Sequence, residues 1–191
     1  MEGKKERFLM LLFSKHITNR LRYIAGFIGE ELFDKAIELT DNVEEFQQYT
    51  GNRINYSNER IEGAFNLAPH NLLFEKDIKP QQIVCFELNN HKAFFRAGNS
   101  DLGFDVFAAT FYLLSRYEEY LPHKKDEYER YAHVESLAYR EGFLHLPLVN
   151  YWLEDLKTAL KQVFPAIGFH RHTFKFLPTY DIDMAWSYRN K

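Results

Sequence analysis

The sequence predicts an α/β fold: a sheet with a parallel N-terminal βαβαβ part, then a β-hairpin, with helices flanking both. Three observations carry this expectation. Residues 8–57 alternate between strand and helix signals, which favours parallel strands joined by right-handed crossovers. The first strand signal, Phe8-Leu9-Met10-Leu11-Leu12-Phe13, is apolar throughout, as a strand covered on both faces must be. Two later segments, 101–121 and 147–164, repeat apolar residues at helical spacing.

Taken in order, Thr18 or Asn19 caps the first helix, in which Leu21, Ile24, Ala25, Ile28 and Leu32 share one face and Arg20, Arg22, Glu30 and Glu31 stay wet. Gly26 and Gly29 weaken that helix. Ala36-Ile37-Glu38-Leu39 reads as a short strand. Thr40 or Asp41 caps a short helix with Glu44 and Glu45 in its first turn, and Gly51 stops it. Arg53-Ile54-Asn55-Tyr56-Ser57 is the third strand. Residues 64–74 are apolar but broken by Pro69-His70-Asn71, which suggests strand pieces or an irregular edge. Residues 83–88 and 92–95, joined through Asn89-Asn90-His91, read as a hairpin, because Asn tolerates the positive φ of a tight turn. In 101–121 the face is Phe104, Phe107, Ala108, Phe111, Tyr112 and Leu114, and Pro122 ends the helix. Residues 123–141 are polar and Tyr-rich, hence a surface loop. Pro147 opens the last helix, whose face is Leu148, Tyr151, Trp152, Leu156, Leu160 and Val163.

Composition removes several classes of function. The chain has 191 residues, 46% of them hydrophobic and 17% aromatic, enough to bury a core without a disulfide or metal staple. Cys85 is the single cysteine, so an internal disulfide and a multi-cysteine zinc site are excluded. A net charge of −3 does not build the basic field of a nucleic-acid binder. Lys4-Lys5-Glu6-Arg7 before an apolar run superficially imitates a secretion signal, but that run is six residues and Lys15-His16 follow it. The longest other uncharged apolar stretch, 106–115, is ten residues, about half a membrane span. The chain is therefore expected to be soluble and cytoplasmic, with neither nucleic acid nor membrane as partner.

The chemistry-bearing segment is Pro178-Thr179-Tyr180-Asp181-Ile182-Asp183. On a strand, Asp181 and Asp183 point the same way, ~6–7 Å apart. Such a pair repels unless a cation or proton lies between, which suits one carboxylate as metal ligand and the other as base for a metal-bound water. The alternative is a strand end with solvated carboxylates.

Thr179-Tyr180-Asp181-Ile182-Asp183 resembles the first motif of the polysaccharide deacetylases (carbohydrate esterase family four, the NodB-type domain), whose first barrel strand ends in Thr-Phe-Asp-Asp-Gly or a Phe-Asp-Val-Asp variant. Three earlier segments, Asp101-Leu102-Gly103-Phe104-Asp105-Val106-Phe107-Ala108-Ala109, Leu113-Leu114-Ser115-Arg116-Tyr117-Glu118-Glu119-Tyr120-Leu121-Pro122 and Gly142-Phe143-Leu144-His145-Leu146-Pro147, resemble an uncharacterised domain that precedes the deacetylase domain in bacterial proteins. The resemblance spans residues 8–183. It implies an N-terminal α/β accessory domain over 1–176, with 177–191 the first strand of a C-terminal deacetylase domain. By it, Asp181 is the catalytic base and Asp183 a ligand of a divalent metal, zinc, in the parent protein; the second aspartate departs from the commonest pattern, in which it follows the first directly. The family also needs two later histidines, and none follows Asp183 here. This chain alone is thus expected to hold no cofactor and to be inactive, with the deacetylase domain in cis and carbohydrate as partners.

Other constellations carry less. His170-Arg171-His172 has the spacing of a ligand pair but an adjacent positive charge, and reads as a surface turn. Asp77-Ile78-Lys79 is a fragment of a nuclease pattern without its upstream acid. Ser14, Ser57 and Ser115 lack a nucleophile-elbow context, and Ser14-Lys15-His16-Ile17-Thr18 has no glycine to cradle a phosphate. The Tyr-rich charged region 115–141 can dock another domain, stack sugars or remain plain surface. A stand-alone glycan- or protein-binding module and a nuclease-like enzyme stay open as alternatives.

Overall fold

The computed structural model describes residues 9–181. Its centre is a four-stranded, wholly parallel sheet: β1 (Met10–Phe13), β2 (Glu38–Thr40), β3 (Asn52–Tyr56) and β4 (Phe65–Leu67), in the order β2-β1-β3-β4. The expected α/β architecture is therefore present, with one more parallel strand than the βαβαβ unit requires. Register is fixed by pairs such as Leu12 with Leu39 and with Ile54, and Ile54 with Phe65.

The unbroken apolar character of β1 is explained by what lies on its two sides. Leu11 and Phe13 face a small layer in which Phe46 of α2 (Val43–Gln48) and Ala64 pack, with the Phe13 and Phe46 rings 5.4 Å apart. Met10 and Leu12 face the main core, built on α1 (Asn19–Phe33), α3 (Val106–Leu114) and α5 (Leu148–Val163). All four β1 residues are buried.

Helix ends follow their local chemistry. Thr18 caps α1 by accepting from the Leu21 N–H at 3.1 Å, and its hydroxyl donates to the Leu73 carbonyl. Gly29, which costs α1 propensity, has a packing reason: a Cβ there would lie 2.5 Å from the Ile37 nitrogen and 2.6 Å from the Lys35 oxygen, where the chain folds back over the helix. Asn42, rather than Thr40 or Asp41, caps α2, accepting from the Glu44 and Glu45 N–H groups. Thr40 instead links its hydroxyl to Glu45.

The hairpin forms as β5 (Phe86–Leu88) and β6 (His91–Ala93), with Asn89 and Asn90 at φ of +49° and +66°. It is clamped to α5. The Trp152 indole N–H donates to the Lys92 carbonyl at 2.8 Å, and His91 Nε2 lies 2.7 Å from an Asp155 carboxylate oxygen.

Two segments depart from expectation. The helix predicted over 101–121 is α3 alone: it starts only after Gly103, at φ +83°, and the Asp105 cap, and it ends where Arg116 turns left-handed at φ +51° and starts a 3₁₀ turn, Tyr117–Tyr120. Within the expected loop 123–141 lies a helical turn, α4 (Leu137–Arg140), anchored where a Glu118 carboxylate accepts from the Leu137 N–H.

Candidate functional site

Asp181 lies in an exposed stretch that joins no sheet of the described residues, and Asp183 lies outside the described residues. Among the described residues no group of three or more His, Cys, Asp or Glu side chains is placed to hold a metal ion. His170 and His172 tether the chain to the end of α1: the His170 N–H donates to the Leu32 carbonyl, and His172 Nε2 lies 3.0 Å from the Glu31 carbonyl oxygen.

The parallel sheet builds a site of its own. From β1 the chain crosses through α1 to β2 on one side, then through α2 to β3 on the other. The carboxyl ends of β1 and β3 therefore flank a topological switch point, the place where open α/β sheets bind ligands. A crevice of about 380 Å³ lies there, with Ser14, Lys15 and His16 beyond β1 and Ser57, Asn58 and Glu59 beyond β3. The Lys15 ammonium meets the Glu59 carboxylate at 2.8 Å and joins the two sides. The β3 side is held by buried amides. Asn55 donates to the Asn66 side-chain oxygen at 2.8 Å and to the Glu59 carbonyl, and the Ser57 hydroxyl donates to Asn55 Oδ1 at 2.8 Å.

Behind the crevice sits Asp105, fully buried at the N-cap of α3. Its carboxylate accepts from the Tyr56 hydroxyl at 2.6 Å, from the His70 N–H at 2.6 Å and from the Ala108 N–H at 3.0 Å. Burial pushes its pKa up to about 6, against the pull of those donors. Burial, reinforced by Asp105, likewise raises the Tyr56 phenol well above its ordinary value. The Asp105 backbone N–H also donates to the Phe95 carbonyl at 2.9 Å. One residue thus fixes both His70 and Phe95, whose rings stack at 3.9 Å with 15° between planes.

That stack forms part of a second cavity, of about 360 Å³, lined by His70, Gln82, Val84, Phe86, Phe95 and Arg96. The Arg96 guanidinium carbon lies 3.8 Å from the Phe86 ring centroid. Burial lowers the His70 pKa, so the ring is neutral near pH 7. Its Nδ1 accepts from the Leu72 N–H at 3.3 Å, which leaves the ring hydrogen on Nε2.

Residues 10–165 match the model of a family of unknown function, DUF7033. The chain belongs to that family. No curated protein and no solved structure matches it.

The DUF7033 match runs from β1 to just past α5 and takes in the crevice, Asp105 and the His70–Arg96 cavity; it stops before the Phe174–Asp181 stretch. Sequence reasoning missed the residues of the node. Asp105 carried a usable signal, an Asp directly before the apolar run 106–115. His70 and Arg96 carried none, because their partners are remote in the chain.

Proposed function

We propose that this DUF7033 domain is the accessory domain of a metal-dependent carbohydrate deacetylase, with Thr179-Tyr180-Asp181-Ile182-Asp183 the start of the catalytic domain. The supporting observation is the stretch beyond the family match. Phe174, Phe176, Leu177 and Tyr180 expose 91%, 78%, 79% and 82% of their surface. So many large apolar side chains in water, three of them at the two-residue period of one strand face, fit a strand that pairs within another sheet. In the deacetylase the motif resembles, Asp181 would take the proton from a metal-polarised water, and Asp183 would be one ligand of a divalent ion, zinc. An open catalytic zinc site needs about three protein ligands, so two more must come from residues beyond these. The role of the α/β body is then to present and support that strand.

Two measurements test this. The reading frame followed past Lys191 should encode a His-x-x-x-His-type motif; a stop codon directly after Lys191 refutes the reading. The present chain, incubated with zinc and acetylated sugar oligomers, should release no acetate, and metal-dependent release by it is equally fatal. The crevice and the cavity favour a second reading, a ligand-binding module that acts on its own.

A further inference from the structure

The cavity beside the His70–Phe95 stack carries three features that folding alone does not require. Arg96 is exposed and pairs with no carboxylate among the described residues, yet its guanidinium is held against the Phe86 ring at 3.8 Å. Phe95 adopts φ +58°, a left-handed backbone that a bulky aromatic residue rarely takes. It is kept there by the Asp105 N–H on its carbonyl and by the bridge between Arg96 and Phe104. Backbone strain held in place by its surroundings is characteristic of ligand clamps. The third feature is His70, whose Nε2 has no hydrogen-bond partner among the described residues, while Phe95 stacks on one face of its ring and the Leu72 N–H holds its Nδ1.

The donors define the ligand. A guanidinium pre-set by stacking presents a planar fork that matches a carboxylate in two parallel hydrogen bonds. A neutral imidazole N–H and the Gln82 amide add donors without adding charge. The lining holds one cation and no acid, so it balances one negative charge rather than two. Val84, 72% exposed at the rim, Phe86 and Phe95 supply apolar surface for an organic body. A volume of about 360 Å³ falls in the range of small-molecule sites.

We propose that the cavity formed by His70, Gln82, Val84, Phe86, Phe95 and Arg96 binds a small organic monocarboxylate, its carboxylate on the Arg96 fork and its apolar body against Val84 and Phe86. This site stands independently of the role given to the Thr179–Asp183 motif.

The test is a titration of the whole chain followed by backbone amide NMR. Benzoate is the probe, and benzamide and inorganic phosphate are the comparisons. Saturable shifts from benzoate at residues 82–86 and 95–97 are expected, with a dissociation constant in the millimolar range or below. Benzamide and phosphate should each bind at least about tenfold more weakly, because one lacks the charge and the other the apolar body. Arg96→Gln should lower benzoate affinity about tenfold or more, the loss expected for a charge-assisted pair. Arg96 is exposed and makes no hydrogen bond to the protein among the described residues, so this variant keeps its fold; the probe comparison on the natural chain needs no variant at all. Absence of saturable benzoate shifts, equal binding of benzamide or phosphate, or an Arg96→Gln variant that binds benzoate as the natural chain does would each overturn the assignment.

Discussion

Replacing Asp105 by Asn tests the node on which β3, the His70 segment and α3 converge. The side chain is fully buried, with three donors aimed at it from Tyr56, His70 and Ala108. An amide of the same shape keeps one acceptor oxygen but turns its NH₂ toward a donor, so about 1–3 kcal/mol is lost at pH 7.5. The pH dependence is the sharper readout. Burial raises the Asp105 pKa from 3.8 to about 6. As pH climbs, the unfolded chain releases this proton first, while the native protein holds it until about pH 6. The unfolded state then binds fewer protons, so this group's contribution to stability is largest below the unfolded pKa and falls away as pH rises through the folded value. Between those limits the shift amounts to roughly 3 kcal/mol in all, of which about 2 kcal/mol is still present at pH 4.5 and essentially none at pH 7.5. Urea unfolding of both proteins at the two pH values measures the difference directly. The gap between natural protein and Asp105→Asn should be about 2 kcal/mol wider at pH 4.5 than at pH 7.5. A gap that stays constant within about 0.5 kcal/mol shows that Asp105 does not carry the proton, and the electrostatic account of the node fails.

Two further outcomes follow from packing. Gly29→Ala places a Cβ 2.5 Å from the Ile37 nitrogen and against other backbone, which cannot yield as a flexible side chain would; a loss of about 1–3 kcal/mol is expected by urea denaturation, although the same change in an open helix stabilises. A neutral result there means the α1–β2 connection sits further from the helix than described. Limited trypsin digestion, read by mass spectrometry, should cut the described residues first after Arg171 or Lys175, in the exposed stretch without regular secondary structure, and leave the α/β body whole. First cleavage inside 10–165 contradicts that arrangement.

What the sequence made legible was local. The run Phe8–Phe13 announced a strand buried on both faces, Thr18 a helix start, and Asn89-Asn90 a tight turn, because each is written in neighbouring residues. β4 was legible only as a strand piece or irregular edge within 64–74, since its parallel pairing with β3 depends on a loop that Asn55 and Asn66 hold from inside. α3 was predicted too long at its C-terminal end because nothing local reveals that Arg116 turns left-handed. The same divide separates the sites. The Thr179–Asp183 motif can be read from five consecutive residues. The cavity cannot, because His70, Phe86 and Arg96 meet only after the hairpin docks on α5 and Asp105 closes on a backbone N–H thirty-five residues earlier.

Asp105 also explains why the crevice and the cavity can share one wall. Pro69 and Asn71 line the crevice, while His70 between them lines the cavity, so this single strand of backbone divides the two. Left alone, a three-residue partition would yield to a ligand on either side. Here its central N–H is gripped by a buried carboxylate, its ring is stacked on Phe95, and Phe95 itself is held by the same aspartate's backbone. Two local costs, a buried carboxyl group and a left-handed phenylalanine, thus fall on one node rather than being spread over the fold. The carboxylate of Asp105 also serves the fold, since it caps α3 and satisfies three buried donors, but a fold that needed only to bury its core could relax Phe95 into the extended region. Holding a donor and an aromatic face in fixed relation for a ligand gives both costs a purpose, since a binding surface is only as precise as the groups that support it.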